Sequence, residues 1–256
     1  MRIDQRRYKA SSRAVSACVG RMAVGMGLSV LCVSAFASQV EDWAFKFTSA
    51  IYSERAAPLG TDQNLRGNLG DHTAWVGHYQ RGGQFEQTRL GYEYTIKLPV
   101  GQMTPSVQLA THGFAGGAVT AQLGSESIWA IVGFGRTNLK PYYNLSFDPN
   151  DSVVLGAAVR VRPAGTLSVF TVADDRTGTG QKVTHLVWRE RYSNDRRLTL
   201  DAVHKTGSPD AGLPGISGKG LTLTYDHGKL FARFGREQKV NFTPSDQTRF
   251  AAGFRF

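Results

Sequence analysis

Apolar and polar residues alternate along most of this chain. Trp43, Phe45, Phe47, Ser49 and Ile51 share one face, with Ala44, Lys46, Thr48 and Ala50 opposite. Leu90, Tyr92, Tyr94, Ile96 and Leu98 repeat the pattern against Arg89, Gly91, Glu93, Thr95 and Lys97. A period of two marks strands with one apolar face. Similar segments follow at about 72–81, 104–112, 117–124, 127–136, 139–147, 152–162, 166–174, 182–192, 197–206, 219–226, 229–239 and 247–256. That makes fourteen candidates, or about 16 residues each with a connection, where a tilted membrane-spanning strand takes roughly 9–11. That spacing is tight but feasible; about twelve strands are expected, with ten to fourteen permitted, and one Gly-rich segment between Gly113 and Arg136 belonging to a loop. The fold class expected is all-β, a closed antiparallel transmembrane barrel.

Connections toward the C-terminus alternate in length. Pro163-Ala164-Gly165, Ser193-Asn194-Asp195 and Asp226-His227-Gly228 are tight turns of turn-forming residues. Between them lie longer polar stretches, Asp174 to Gln181, Ser208 to Gly218 and Gln238 to Gln247. Short turns at one end and long loops at the other belong to a transmembrane barrel, periplasmic and extracellular respectively. On this reading Ser53 to Asp71 forms the first external loop.

The N-terminal region changes how the charge is read. Arg2, Arg6, Arg7, Lys9, Arg13 and Arg21 precede the uncharged run Met22 to Phe36 and the small-residue triplet Ala35-Phe36-Ala37. That order is a secretory signal, with cleavage expected after Ala37 and a single barrel domain over 38–256. Residues 1–37 hold six of the 30 Lys and Arg and one of the 20 Asp and Glu, so removing them lowers the net charge from +10 to +5. Half of the basic excess that suggests nucleic-acid binding is thus discarded, and no nucleic-acid partner is expected. Cys18 and Cys32 leave with the same segment, which removes thiol chemistry and cysteine-based metal sites.

The chain ends Arg249-Phe250-Ala251-Ala252-Gly253-Phe254-Arg255-Phe256, placing Phe250, Phe254 and Phe256 on one face. This resembles the terminal strand of bacterial outer-membrane β-barrel proteins, with Ala251 standing where that pattern prefers Gly. The resemblance implies location in the bacterial outer membrane, with the barrel-assembly machinery, outer-membrane lipid and lipopolysaccharide as partners. Phe250, Phe254 and Phe256 would be the assembly signal. Aromatics such as Trp43, Tyr192, Tyr225 and Phe256 at the short-turn end fit a membrane-interface girdle.

If the aromatic face meets lipid, the opposite face lines the lumen. It then carries twelve basic groups, Lys46, Arg89, Lys97, Arg160, Arg162, Arg189, Arg191, Arg197, Lys205, Arg233, Arg249 and Arg255, against Glu93, Asp201 and Asp226. A narrow cationic passage favours small anionic solutes, and Arg can hold carboxylates in bidentate fashion. The equally simple reading is that these side chains fill a small lumen. In size and lining the chain is similar to the small oligosaccharide-specific porins. Tyr142 and Asn144, in the compact run Lys140-Pro141-Tyr142-Tyr143-Asn144, are expected to face inward and contact a solute, together with Arg89, Arg160, Arg162, Arg189, Arg191 and Arg197.

Two other functions stay open: an outer-membrane lipid hydrolase, and a structural or adhesive barrel acting through its loops. His78, His112 and His185 are expected to point inward as bases or hydrogen-bonding fill, while Asp201 and His204 alternate to opposite faces. Spacing assigns no nucleophile–base pair, so no catalytic residue is named and no cofactor or metal is expected. Gly133-Phe134-Gly135 lacks the third Gly and the βαβ context of a dinucleotide site. Asp148-Pro149-Asn150-Asp151 reads as a hairpin turn more readily than as a calcium loop.

Overall fold

The structure is a computed structural model that describes residues 43–143 and 151–256. The expected signal segment, both cysteines, Asn144 and Asp148 to Asn150 lie outside the described residues. The rest forms one continuous antiparallel sheet: β1 (Ala44–Glu54), β2 (Gly60–Leu69), β3 (His72–Arg81), β4 (Phe85–Tyr94), β5 (Ile96–Leu98), β6 (Gly101–Ala110), β7 (Phe114–Gly124), β8 (Ile128–Thr137), β9 (Ser152–Arg162), β10 (Gly165–Asp174), β11 (Lys182–Arg191), β12 (Arg196–Gly207), β13 (Ile216–His227), β14 (Leu230–Glu237) and β15 (Gln247–Arg255). Apart from β4 and β5, which both pair with β6, each strand pairs with its neighbours in sequence, and β1 pairs with β15, so the sheet closes on itself. Closure pairs the backbone groups that a sheet edge would otherwise leave bare, the requirement hydrocarbon imposes.

Fourteen strands make the barrel, since β5 only prolongs β4 along their shared neighbour β6. The break falls at Thr95, whose N–H turns away to the carbonyl of Asp71 at 2.8 Å. The count of about twelve is therefore two low. The Gly-rich region expected to give one of its segments to a loop instead forms two full strands, β7 and β8, which pair from Gly116↔Thr137 to Gly124↔Trp129. The expected first external loop likewise contains β2, whose sequence Gly-Thr-Asp-Gln-Asn-Leu-Arg-Gly-Asn-Leu has almost no apolar face. It is a strand because β1 and β3 hold it on both sides, neighbour context overriding weak local preference. The segment expected at 139–147 is not a strand over Leu139 to Tyr143, and its remainder is not described.

Both described chain ends and the short turns lie at one end of the barrel, while 175–181, 208–215 and 238–246 connect strands at the other. Leu90, Leu155, Leu186, Leu221, Phe234 and Phe250 point outward and are largely exposed, forming an apolar belt. Aromatic rings collect at the short-turn end: Trp43 stacks on Phe45, and Phe45 on Phe256 at 5.5 Å. Tyr92, Tyr192 and Tyr225 are exposed at the same end. Belt and girdle are a surface shaped for lipid.

The seam between β1 and β15 is tightly drawn. Phe45 and Phe256 exchange both backbone hydrogen bonds, at 2.8 and 3.0 Å. Gly253 lies across from Thr48, where an added Cβ would come within 2.0 Å of the Phe47 carbonyl oxygen and 2.6 Å of the Phe231 ring. Gly253→Val is expected to hold this seam apart and destabilise the barrel by roughly 2–3 kcal/mol, as overpacking does. Urea titration of protein refolded in detergent, followed by the mobility difference between boiled and unboiled samples, checks it.

Candidate functional site

Residues facing away from the belt meet in the lumen, and many of their charges are already matched. Arg89 on β4 pairs with Asp62 on β2, both almost fully buried. Arg66 on β2 pairs with Glu93 on β4 at 2.5 Å, and Arg81 on β3 with Glu54 on β1 at 2.5 Å. Asp226 on β13 lies between Arg197, at 3.1 Å, and Arg255. Lys205, fully buried on β12, meets Glu237 on β14 at 2.6 Å. The expected ratio of twelve bases to three acids therefore needs correcting on both sides, because Glu54, Asp62 and Glu237 also face inward, and so do Arg66 and Arg81. Two of these acids were hidden by boundaries, Asp62 by reading β2 as a loop and Glu54 by ending β1 early.

The described first part of the connection after β8, residues 138–143, bends into the lumen. Gln87 on β4 holds it with both ends of its amide: Nε2 donates to the Pro141 carbonyl at 3.0 Å, and Oε1 accepts from the Tyr143 backbone N–H at 2.8 Å. Arg89 donates to the Tyr143 carbonyl at 3.2 Å. The Tyr143 ring stacks on Tyr79 of β3 at 3.7 Å, and its hydroxyl receives hydrogen bonds from Arg81 and Gln247. Tyr142 stacks on Phe114 of β7 at 4.3 Å. Burial pushes the Tyr142 phenol above its ordinary value, so it stays a neutral hydroxyl.

A second connection, after β14, also tucks in, burying Val240 and Phe242. Lys205 anchors it by donating to the Lys239 carbonyl at 3.0 Å. Lys239, Asn241 and Phe242 all adopt left-handed φ, at 52°, 48° and 57°. Strain of this kind persists only where surrounding contacts enforce it.

Below the first loop lies a cavity of about 580 Å³. Lys46, Arg66, Arg233 and Arg249 line it, as do Trp75, Phe114, Tyr142, Val154 and Val172. Arg233 donates through Nε to Thr224 Oγ1 at 3.0 Å, and Arg249 to Thr222 Oγ1 at 3.3 Å. The Lys46 ammonium sits over the Phe231 ring, 4.4 Å from its centre.

The residues singled out in the sequence fall into separate groups. Arg89 and Tyr142 face inward at the loop. Arg160 and Arg189 face the lumen near the short-turn end, where Arg160 donates to the Glu126 and Pro163 carbonyls. Arg162 and Arg191 are exposed at the very ends of their strands, and Arg197 is committed to Asp226. Asn144 is not described. Phe250, Phe254 and Phe256 point outward along the seam strand.

Among the histidines only His185 is inward, flat against Phe170 at 4.7 Å and 3.1 Å from Asp201. His78 corrects its expectation by facing outward, bonded to Thr88 at 3.0 Å, because register places it between outward Gln63 and Thr88. His112 is an exposed turn residue at positive φ. One Ser–His contact that spacing could not reveal joins neighbouring strands on the outer face, Ser217 Oγ to His204 Nε2 at 3.3 Å.

Releasing the inward loop should be visible without any transport assay. Gln87→Ala would leave the Tyr143 N–H and Pro141 carbonyl unpaired, about 1–3 kcal/mol against the docked loop. Chymotrypsin cleavage after Tyr142 is therefore expected to accelerate by roughly tenfold or more over wild type, read by mass spectrometry of the folded barrel; equal rates would show that the amide does not hold the loop.

No protein-family model matches the chain and no curated protein sequence does. Its fold, however, is shared with solved porins. The Acinetobacter baumannii outer membrane protein Omp33 is 9% identical, with 85% of this chain and 100% of that one covered and a TM-score of 0.53. An engineered variant of the Rh. blastica porin is 9% identical over 84% and 99% of the two chains, with a TM-score of 0.50. Identity this low speaks for fold alone, and on that ground the chain has the closed β-barrel fold of the bacterial outer-membrane porins.

Proposed function

We propose that this barrel is a channel of the bacterial outer membrane that passes small anionic solutes, with the short turns and both chain ends in the periplasm and the long loops outside. The carrying observation is the cationic surplus that remains on the lumen face once internal ion pairs are set aside. Lys46, Arg160, Arg189 and Arg233 have no carboxylate within ion-pair distance among the described residues. In a confined passage such charges raise the local concentration of anions and lower that of cations. The inward loop supports the same reading, since it narrows the passage and brings solutes against that surplus.

Planar-bilayer recording of refolded protein is expected to give discrete conductance steps and a reversal potential favouring anions in a salt gradient. Replacing Arg160, Arg162, Arg189 and Arg191 together with Glu should invert the preference. Absence of conductance, or a cation-selective wild type, would sink the reading.

A second reading, hydrolysis of membrane lipid, is favoured by the outward Ser217–His204 contact, which places a hydroxyl beside a base on the lipid-facing surface. Fatty-acid release from phospholipid vesicles that disappears in Ser217→Ala, with the folded band intact, would promote it; no release by wild type sets it aside.

A further inference from the structure

The cavity has two unlike walls. Strands β14, β15, β1 and β2 supply Arg233, Arg249, Lys46 and Arg66. Arg66 is held by Glu93, but Arg233 spends only its Nε on Thr224, and Lys46 leans on a ring. The terminal nitrogens of Arg233 and the Lys46 ammonium therefore keep hydrogen-bond donors in hand among the described residues. Across from them, β7 to β10 supply Phe114, Gly135, Val154 and Val172, with the hydroxyls of Thr120, Thr137 and Ser152 as the uncharged polar groups. The one charge lining the cavity from those strands, Arg136, is held by both oxygens of Asp175 at 2.7 Å each. Tyr142 lying on Phe114 extends this uncharged wall upward.

Each wall excludes a different class of solute. A hydroxyl-rich anion pressed against Val154, Val172 and Phe114 would lose more hydrogen bonds to water than the three hydroxyls of Thr120, Thr137 and Ser152 replace, which is costly. A neutral apolar molecule would leave the cations desolvated and unmatched. A solute with one anionic group and one apolar face meets both walls at once. A volume of about 580 Å³ suits a single small molecule.

We propose that the cavity selects compact amphiphilic monoanions, a carboxylate carried on a flat apolar body, with the carboxylate toward Arg233 and Lys46 and the body against Phe114, Val154 and Val172. This rests on the channel reading and narrows it to a substrate class.

Bi-ionic potentials in planar bilayers compare benzoate with shikimate, a ring carboxylate of similar size that carries hydroxyls. Benzoate is expected to be the more permeant. In the Val154→Thr, Val172→Thr double variant the benzoate-to-shikimate ratio should fall by about fourfold for each methyl group lost. Anion selectivity with equal permeation of the two probes would overturn the substrate class while leaving the channel reading in place.

A second measurement does not need conductance. The fluorine NMR line of a fluorobenzoate should broaden with detergent-solubilised barrel beyond an empty-micelle control, and the broadening should disappear in Lys46→Gln, Arg233→Gln protein that still shows the heat-modifiable folded band. A barrel that conducts nothing fails the channel reading, yet this line still decides the site: no broadening with wild type overturns the proposal.

Discussion

Everything in this molecule depends on joining the first strand to the last. In hydrocarbon an unpaired backbone N–H or carbonyl costs several kcal/mol, so a sheet survives there only when it has no edge. The pairs from Lys46↔Arg255 to Glu54↔Gln247 remove that edge, and Phe45 with Phe256 completes the join. Closure then fixes which way every side chain points. Because successive residues alternate, Phe47 and Phe254 must face out wherever Lys46 and Arg255 face in. The greasy belt and the charged interior are thus two consequences of one register.

An interior built this way has to be filled without stranding charge. A buried ion left unmatched costs several kcal/mol, whereas a matched and hydrogen-bonded pair comes near to breaking even. The Arg89–Asp62 pair is of the matched kind, and it serves a further purpose by presenting a guanidinium N–H to the Tyr143 carbonyl. Lys205 does the same for the other loop through Glu237 and the Lys239 carbonyl. In both places a charge pair on the wall becomes the anchor for a loop that narrows the mouth. The left-handed φ values at Lys239, Asn241 and Phe242 mark where that anchoring bends the backbone against its preference.

The fold was legible in the sequence because alternation is a local signal with global meaning, and the alternating short and long connections gave its two ends. What escaped were features set by neighbours. β2 has Asp62, Asn64 and Arg66 on one face and Thr61, Gln63, Leu65, Gly67 and Leu69 on the other, so two leucines are all the apolar period it offers. Its omission hid Asp62, and hence the commitment of Arg89. His78 faces outward against the sequence expectation, and only its register with Gln63 and Thr88 settles this. The inward turn of the loop at Pro141 was illegible for the same reason, since Gln87 lies far away in sequence and nothing local marks its amide as a clasp. Tyr142 lies on Phe114, a partner 28 residues away that nothing local in the sequence announces.

The uncharged wall has a structural cause that links loop and lumen. For Tyr142 to lie on Phe114, the strands beneath must keep low, and Gly116 and Gly135 stand there. At Gly116 an added Cβ would come within 3.1 Å of the Thr137 methyl and 3.3 Å of the Phe114 ring, so the stack leaves little room for a larger residue. Lys46, Arg66, Arg233 and Arg249 line the cavity from the opposite arc, where Thr224 and Thr222 of β13 accept hydrogen bonds from Arg233 and Arg249. A field arising from one side of a narrow, low-dielectric space is not cancelled by the other. The way a loop is accommodated in the barrel thereby also determines where its interior is charged and where it is bare.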